Sequence, residues 1–175
     1  PPPPPPRKSS SSTVIIVLVC VFGGLMVLGI LAAIAIPSFL DYQKKSKARR
    51  SEAELNLDLL QKSLKASAYE KATFPVGDSG VTPPTPCCES GRSDRKCEVD
   101  PTLWDSNPIW TELDFQVDEP HYFRYAYESA DGQAFTLHVM GDLDCEGLKA
   151  DYTLDGSMPP DGRPELVLTK PTRAD

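Results

Sequence analysis

VIIVLVCVFGGLMVLGILAAIAIPSFLDYQKKSKARRSEAELNLDLLQKSLKASAYEKATFP, residues 14–75, is the stretch that decides the fold. From Val14 to Leu40 there is no charged residue, a run of 27 positions. As a helix rising 1.5 Å per residue it reaches roughly 40 Å, more than the ~30 Å hydrocarbon core of a bilayer requires. A basic collar follows: Lys44, Lys45, Lys47, Arg49 and Arg50. Beyond it Ala53, Leu57, Leu60, Leu64 and Ala68 recur at spacings of four and three, the stripe of an amphipathic helix. Leu55 and Leu59 are expected to widen that stripe. Neither Gly nor Pro interrupts residues 38–73, so the helix is expected to run on to Phe74-Pro75, where proline stops it. Pro37 has no N–H to donate and is expected to kink it. Such a helix has ~60 residues and a length of about 90 Å. A small domain buries only part of a rod that long. The rest calls for lipid or for neighbouring copies.

Two other readings of the apolar run fit less well. A cleaved secretory signal would use Ala33-Ile34-Ala35 as its small-residue site, but the run exceeds the core of about 7–15 residues usual in such peptides. A lipoprotein signal would use Cys20, yet Val19 before it is bulky and the apolar run continues well past it. Residues 13–40 are therefore read as a helix that lies in a membrane or packs against neighbouring copies. Its candidate packing residues are Val14, Leu18, Leu25, Gly29, Leu31, Ile34, Ile36 and Pro37. Gly23, Gly24 and Gly29 let helices approach closely in lipid, and Cys20 serves as a small apolar filler. Residues 1–12, PPPPPPRKSSSS, favour polyproline II and carry nothing to bury, the composition of a disordered tail or spacer.

Charge divides the chain by region. Residues 1–50 hold seven Lys/Arg and one acid, a balance of +6; the other 11 Lys/Arg and 24 Asp/Glu give −13, within a net −7. A basic collar beside an apolar run, then an acidic remainder, describes a membrane-anchored protein with a solvated head. Nucleic acid is excluded as a partner, because phosphate binding needs a basic face. Cys87, Cys88, Cys97 and Cys145 form an even set in the acidic part, suited to two disulfides and an oxidising compartment. Their spacing fits a zinc site poorly. A bond between adjacent Cys87 and Cys88 would be strained, so each is expected to pair with Cys97 or Cys145, in an order the spacing leaves open. Five basic residues after the span and two before it place the head in the cytoplasm by the positive-inside rule. Disulfides require it outside, and they are given the greater weight.

The remainder is expected to be α+β. Residues 41–74 supply the amphipathic half of the helix, and residues 75–120 read as a disulfide-pinned loop region. Residues 121–175 hold three or four antiparallel strands and a C-terminal tail. Tyr122–Tyr127 is rich in strand formers, Asp131-Gly132 signals a hairpin, and Phe135, Leu137 and Val139 alternate with polar residues. Leu148, Ala150, Tyr152 and Leu154 alternate again, Asp155-Gly156 is expected to turn, and Leu166-Val167-Leu168 adds an edge strand. One apolar face of that sheet needs a cover, and the amphipathic helix supplies it.

No enzymatic activity and no cofactor are expected. Gly77-Asp78-Ser79-Gly80 copies part of a serine-nucleophile loop, but only His121 and His138 are available as partners and no flanking pattern makes a triad, so a turn is expected there. Asp142, Asp144 and Glu146 alternate as oxygen ligands before Gly147, as calcium loops do. The twelfth position is Thr153 and not glutamate, so calcium is a weak candidate and an acidic hairpin turn the stronger reading.

The run Gly29–Leu40, GILAAIAIPSFL, with Tyr42, the basic residues and Ser51-Glu52-Ala53 before the apolar stripe, resembles the N-terminal helix of type IV pilins and type II secretion pseudopilins. The resemblance covers roughly residues 16–75. More weakly, Gly141–Gly147, GDLDCEG, after a strand is similar to the head of some bacterial pilins. The resemblance implies a ladle-shaped fold, insertion into the bacterial inner membrane with the N-terminus inside and the head in the periplasm, and extraction by an inner-membrane assembly machinery. Copies then join a helical filament with their apolar helices bundled in its core. It also implies a leader-peptidase site between glycine and phenylalanine, with a glutamate five residues into the mature chain. Counting back from Pro37, those places hold Ile15, Ile16 and Cys20. The alternatives to a filament subunit are a pseudopilin and a pilin-like, non-assembling single-pass protein with a binding head.

Overall fold

The computed structural model describes residues 11–147 and 150–171, with side chains at 15–33, 35, 36, 39, 49–147 and 150–171. A single helix, α1 (Ser11–Lys71), runs for 61 residues, the length the sequence predicts. The chain divides into two units, Pro1–Lys45 and Ser46–Asp175. In the first, Ile15–Ala33 is long and apolar enough to cross a membrane, and none of it is buried. The expected disordered tail falls mostly outside the described residues, and the expected kink rests on Pro37, whose side chain is also outside them.

In the second unit the later turns of α1 pack on a five-stranded antiparallel sheet. Its strands are β1 (Gly77–Thr82), β2 (Arg124–Ser129), β3 (Ala134–Gly141), β4 (Ala150–Ser157) and β5 (Glu165–Thr169), side by side in chain order. Five strands replace the expected three or four. The additional one, β1, lies in the stretch read as loop, because two glycines, an aspartate and a serine are weak strand formers until pairing with β2 overrides propensity. The same stretch holds a single 3-10 turn at Cys87–Glu89 and two short helices, α2 (Pro101–Asp105) and α3 (Pro108–Glu112). Each short helix starts on a cap followed by proline. The Asp100 carboxylate accepts from the Thr102 N–H at 3.0 Å, and the Asn107 side chain accepts from the Ile109 N–H at 3.1 Å.

The apolar stripe does what its spacing predicts. Ala53, Leu57, Leu60, Leu64 and Ala68 are all buried against the sheet. Burying each leucine contributes about 1.5–3 kcal/mol. Exposed ion pairs such as Lys62–Asp58 and Lys170–Glu54 add at most about 1 kcal/mol each, so packing sets the helix on the sheet. Leu55 and Leu59 do not widen the stripe: they are 61% and 46% exposed. Their angular positions fall beyond the strip that a flat sheet face can cover.

Strand alternation sets the other half of the core. Tyr125, Tyr127, Phe135, Leu137, Val139, Ala150, Tyr152 and Leu154 share the covered face, with Tyr125 opposite Val139 and Leu137 opposite Leu154. The buried polar tips have partners. Asn56 donates to the Tyr125 hydroxyl at 2.6 Å, the Tyr127 hydroxyl donates to the Pro75 carbonyl at 2.7 Å, and the Trp110 indole N–H donates to Thr82 Oγ1 at 2.9 Å.

Asp155-Gly156 is not a turn. Both residues sit inside β4, and the chain reverses later, where the Gly162 N–H donates to the Pro159 carbonyl at 2.9 Å. Gly156 faces Phe135, and a Cβ there would stand 1.9 Å from the ring. The glycine makes room for an aromatic side chain across the strand pair. Gly156→Ala is therefore expected to destabilise the fold by about 1–3 kcal/mol through overpacking, read from the denaturant midpoint.

Candidate functional site

The first candidate feature is the bare apolar helix surface. Leu18, Leu25, Leu31 and Ile36 are all exposed, as are Phe22 and Met26. Open space surrounds Gly23, Gly24 and Gly29 among the described residues. Val14, Ile34 and Pro37, expected to pack with them, have side chains outside the described residues. Cys20 is an exposed free cysteine on the same run.

The second feature is the covalent pinning of the 75–120 stretch. Cys87 bonds Cys97 across 10 residues and Cys88 bonds Cys145 across 57. All four cysteines of the acidic part are thereby paired. The longer bridge ties the loops to the turn after β3. In that turn Asp142 Oδ2 accepts from the Gly147 N–H at 3.1 Å, and Asp144 Oδ1 accepts from the Glu146 N–H at 3.0 Å. The hydrogen bond from that N–H holds the Asp144 carboxyl below the usual carboxylate range. The carboxylates of Asp142 and Asp144 thus fold the turn on itself. Among the described residues no group of three or more His, Cys, Asp or Glu stands together to hold a metal ion.

Gly77-Asp78-Ser79-Gly80 forms a bulge and not a turn. The β1–β2 register shifts between Asp78 and Val81, with Gly80 at φ 61°. Ser79 Oγ accepts from the Tyr127 N–H at 2.8 Å and donates to the Gly80 carbonyl at 2.8 Å, so the hydroxyl fills a place in the interrupted ladder. The two histidines are engaged elsewhere. His138 sits on the outer sheet face with Nδ1 3.2 Å from the Asp151 carboxylate. His121 is 1% exposed, with Nδ1 3.0 Å from the Glu119 carbonyl, an arrangement that puts the proton on Nδ1.

Sequence reasoning missed a cluster at the collar end of the head. Arg49 and Lys96 each lie 4.8 Å from the centre of the Tyr122 ring. Glu52 accepts from the Tyr122 N–H at 2.7 Å, and burial pushes its carboxyl up despite that bond and the nearby cations. Burial also pushes His121 down, and its Nε2 is buried without a partner. These side chains come from α1, the loop before α2 and the loop before β2. Arg49, Glu52, His121 and Tyr122 each carried a sequence signal of another kind, and none pointed to their meeting with Lys96.

The depressed His121 value gives a signed expectation. The unfolded chain takes up a proton near pH 6.5 and the folded chain only below that, so acidification through this window destabilises the head. The raised Glu52 value works oppositely, since its folded form binds a proton more readily than the unfolded one and stability falls as pH rises past 4.5. Comparing wild type with His121→Gln separates the two. The denaturant midpoint of the variant is expected to fall less between pH 7.5 and pH 5.5.

Two grooves border the exposed leucines. One of about 680 Å³ is lined by Leu59, Trp104, Asp105, Trp110, Asp114 and Phe115, among others. A second of about 360 Å³ includes Leu55, Lys96, Asp118, Glu119 and His121, and Gln116 lines both. Comparison of the chain with family models, with curated proteins and with solved structures gives no match.

Proposed function

We propose that the chain is a structural subunit of a type IV pilus-like filament, assembling with copies of itself through the apolar part of α1, and that it has no catalytic role. The observation that carries this reading is the contrast along one helix. Ala53, Leu57, Leu60, Leu64 and Ala68 have found their cover on the sheet, whereas Ile15–Ala33 is wholly exposed. Exposed apolar surface on that scale requires lipid or other apolar helices. The resemblance of residues 16–75 to pilin helices selects a filament, with the bilayer as the state before assembly. Two disulfides support a head in the periplasm and, after assembly, outside the cell.

One observation favours a second reading. Ile15, Ile16 and Cys20 stand where pilins carry their cleavage site and glutamate, which suits a pilin-like protein that stays in the membrane. Negative-stain microscopy of material sheared from cells decides between them. The filament reading expects fibres containing this chain in the sheared fraction. A chain found wholly in the membrane fraction, with none sheared off, supports the single-pass protein instead.

A further inference from the structure

We propose that the acidic, leucine-edged surface beside α1 is a docking site for the basic collar of a second copy of this chain. The proposal deepens the filament reading and rests on it.

The surface is set apart by what the fold leaves uncovered. Leu57, Leu60 and Leu64 are buried, whereas Leu55 and Leu59 on the same helix stand exposed at the edges of the two grooves. Asp105 and Asp114 line the first groove, Asp118 and Glu119 the second. Among the described residues none of these four carboxylates has an ion-pair partner. A single cation, Lys96, lines the second groove, and it is occupied over the Tyr122 ring. The surface is therefore acidic with an apolar edge.

Its complement lies elsewhere in the same sequence. Residues 44–50 contain five basic residues and no acid. Arg49 is engaged over Tyr122, and Lys44, Lys45, Lys47 and Arg50 carry the rest of the collar's charge. Long Lys and Arg stems cover apolar side chains such as Leu55 and Leu59 while their charged ends reach carboxylates. An anionic bilayer or a nucleic acid would be repelled by the same surface. Donor and acceptor are different residues of one chain, and in the proposed filament the contact is made head to tail. Contacts of that kind propagate into an open polymer instead of closing a dimer. Each exposed pair is weak alone, and repetition along a polymer makes the sum matter.

The test uses the full-length chain in membranes, prepared as an equal mixture of unlabelled and nitrogen-15-labelled copies. A carbodiimide joins carboxylates to amines in direct contact, and mass spectrometry separates links between copies by their mixed isotopes. Mixed-isotope peptides joining Asp105 or Asp114 to Lys44, Lys45 or Lys47 are expected. In a double Asp105→Asn, Asp114→Asn variant the remaining links, through Asp118 or Glu119 to the same lysines, are expected to drop about fivefold. Asparagine tolerates the φ of 49° at Asp114, so the head is expected to keep its fold, checked by its thermal midpoint. Mixed-isotope links that avoid the collar, or collar links undiminished in the variant, would overturn the docking surface. Microscopy of the same samples keeps the readings apart. Filaments without collar links sink the docking surface alone, and collar links without filaments sink the filament.

Discussion

Replacing Leu31 with lysine is expected to cut the yield of sheared filaments roughly 100-fold while leaving the head folded. Leu31 is exposed on the apolar run, in the unit Pro1–Lys45, and contributes nothing to the core around the sheet. On the proposed function that side chain passes from lipid to a bundle of apolar helices without meeting water. A charge at the centre of such a helix costs about 2.5–3.5 kcal/mol. That is a factor of roughly 100 in each subunit's equilibrium, and it applies to every copy added. Leu31→Met keeps the volume and the apolar character, so its filaments are expected to be close to normal. The readouts are filament mass by microscopy and, for the head, the thermal midpoint and the oxidation state of the four cysteines. A normal filament yield from Leu31→Lys contradicts the proposed packing.

The second large effect is on stability. Changing Cys88 and Cys145 together to alanine is expected to lower the unfolding free energy of the head by about 4 kcal/mol, from the loop-entropy relation for a closure of 57 residues. The same change at Cys87 and Cys97, which close 10 residues, is expected to cost about 3 kcal/mol. Against a total of about 5–15 kcal/mol for a typical domain, either loss is substantial, and the longer bridge matters more because it joins two distant parts of the chain. Trp104 and Trp110, both buried, report the transition by fluorescence in a denaturant titration. A smaller loss for the Cys88–Cys145 pair than for Cys87–Cys97 contradicts this account of how the loops are held.

The long helix was legible because two strong signals agree along it. A run without charge and a stripe at spacings of four and three each point to helix, and neither Gly nor Pro intervenes over residues 38–73. The central strands were legible for the parallel reason, since Phe135, Leu137 and Val139 alternate with polar neighbours and one face is covered. The stretch 76–120 was opaque because its signals are ambiguous. Asp100-Pro101 and Asn107-Pro108 mark turns in general, yet here they are the caps and first positions of two helices. β1 carries strand formers only at Val81 and Thr82, and is completed by pairing with β2. Gly156 read as a turn because its use, making room for Phe135, is a tertiary fact.

The candidate site divides the same way. Exposure of Leu18, Leu25, Leu31 and Ile36 follows from composition, because a run of 27 uncharged residues offers more apolar surface than a small domain can cover. The pairing of Cys87 with Cys97 and Cys88 with Cys145 does not follow, since spacing left two pairings open. The meeting of Arg49, Glu52, Lys96 and Tyr122 was equally hidden, because it joins three segments remote in sequence. Leu55 and Leu59 were misplaced by counting apolar residues without asking how wide a strip one sheet face can cover.

Purified full-length protein, released from detergent and viewed by electron microscopy, tests the central claim most directly. Burial of Ile15–Ala33 among the same residues of sister chains predicts long, ordered fibres of uniform width. Single molecules dispersed in bilayers under every condition, with no ordered polymer, would contradict it.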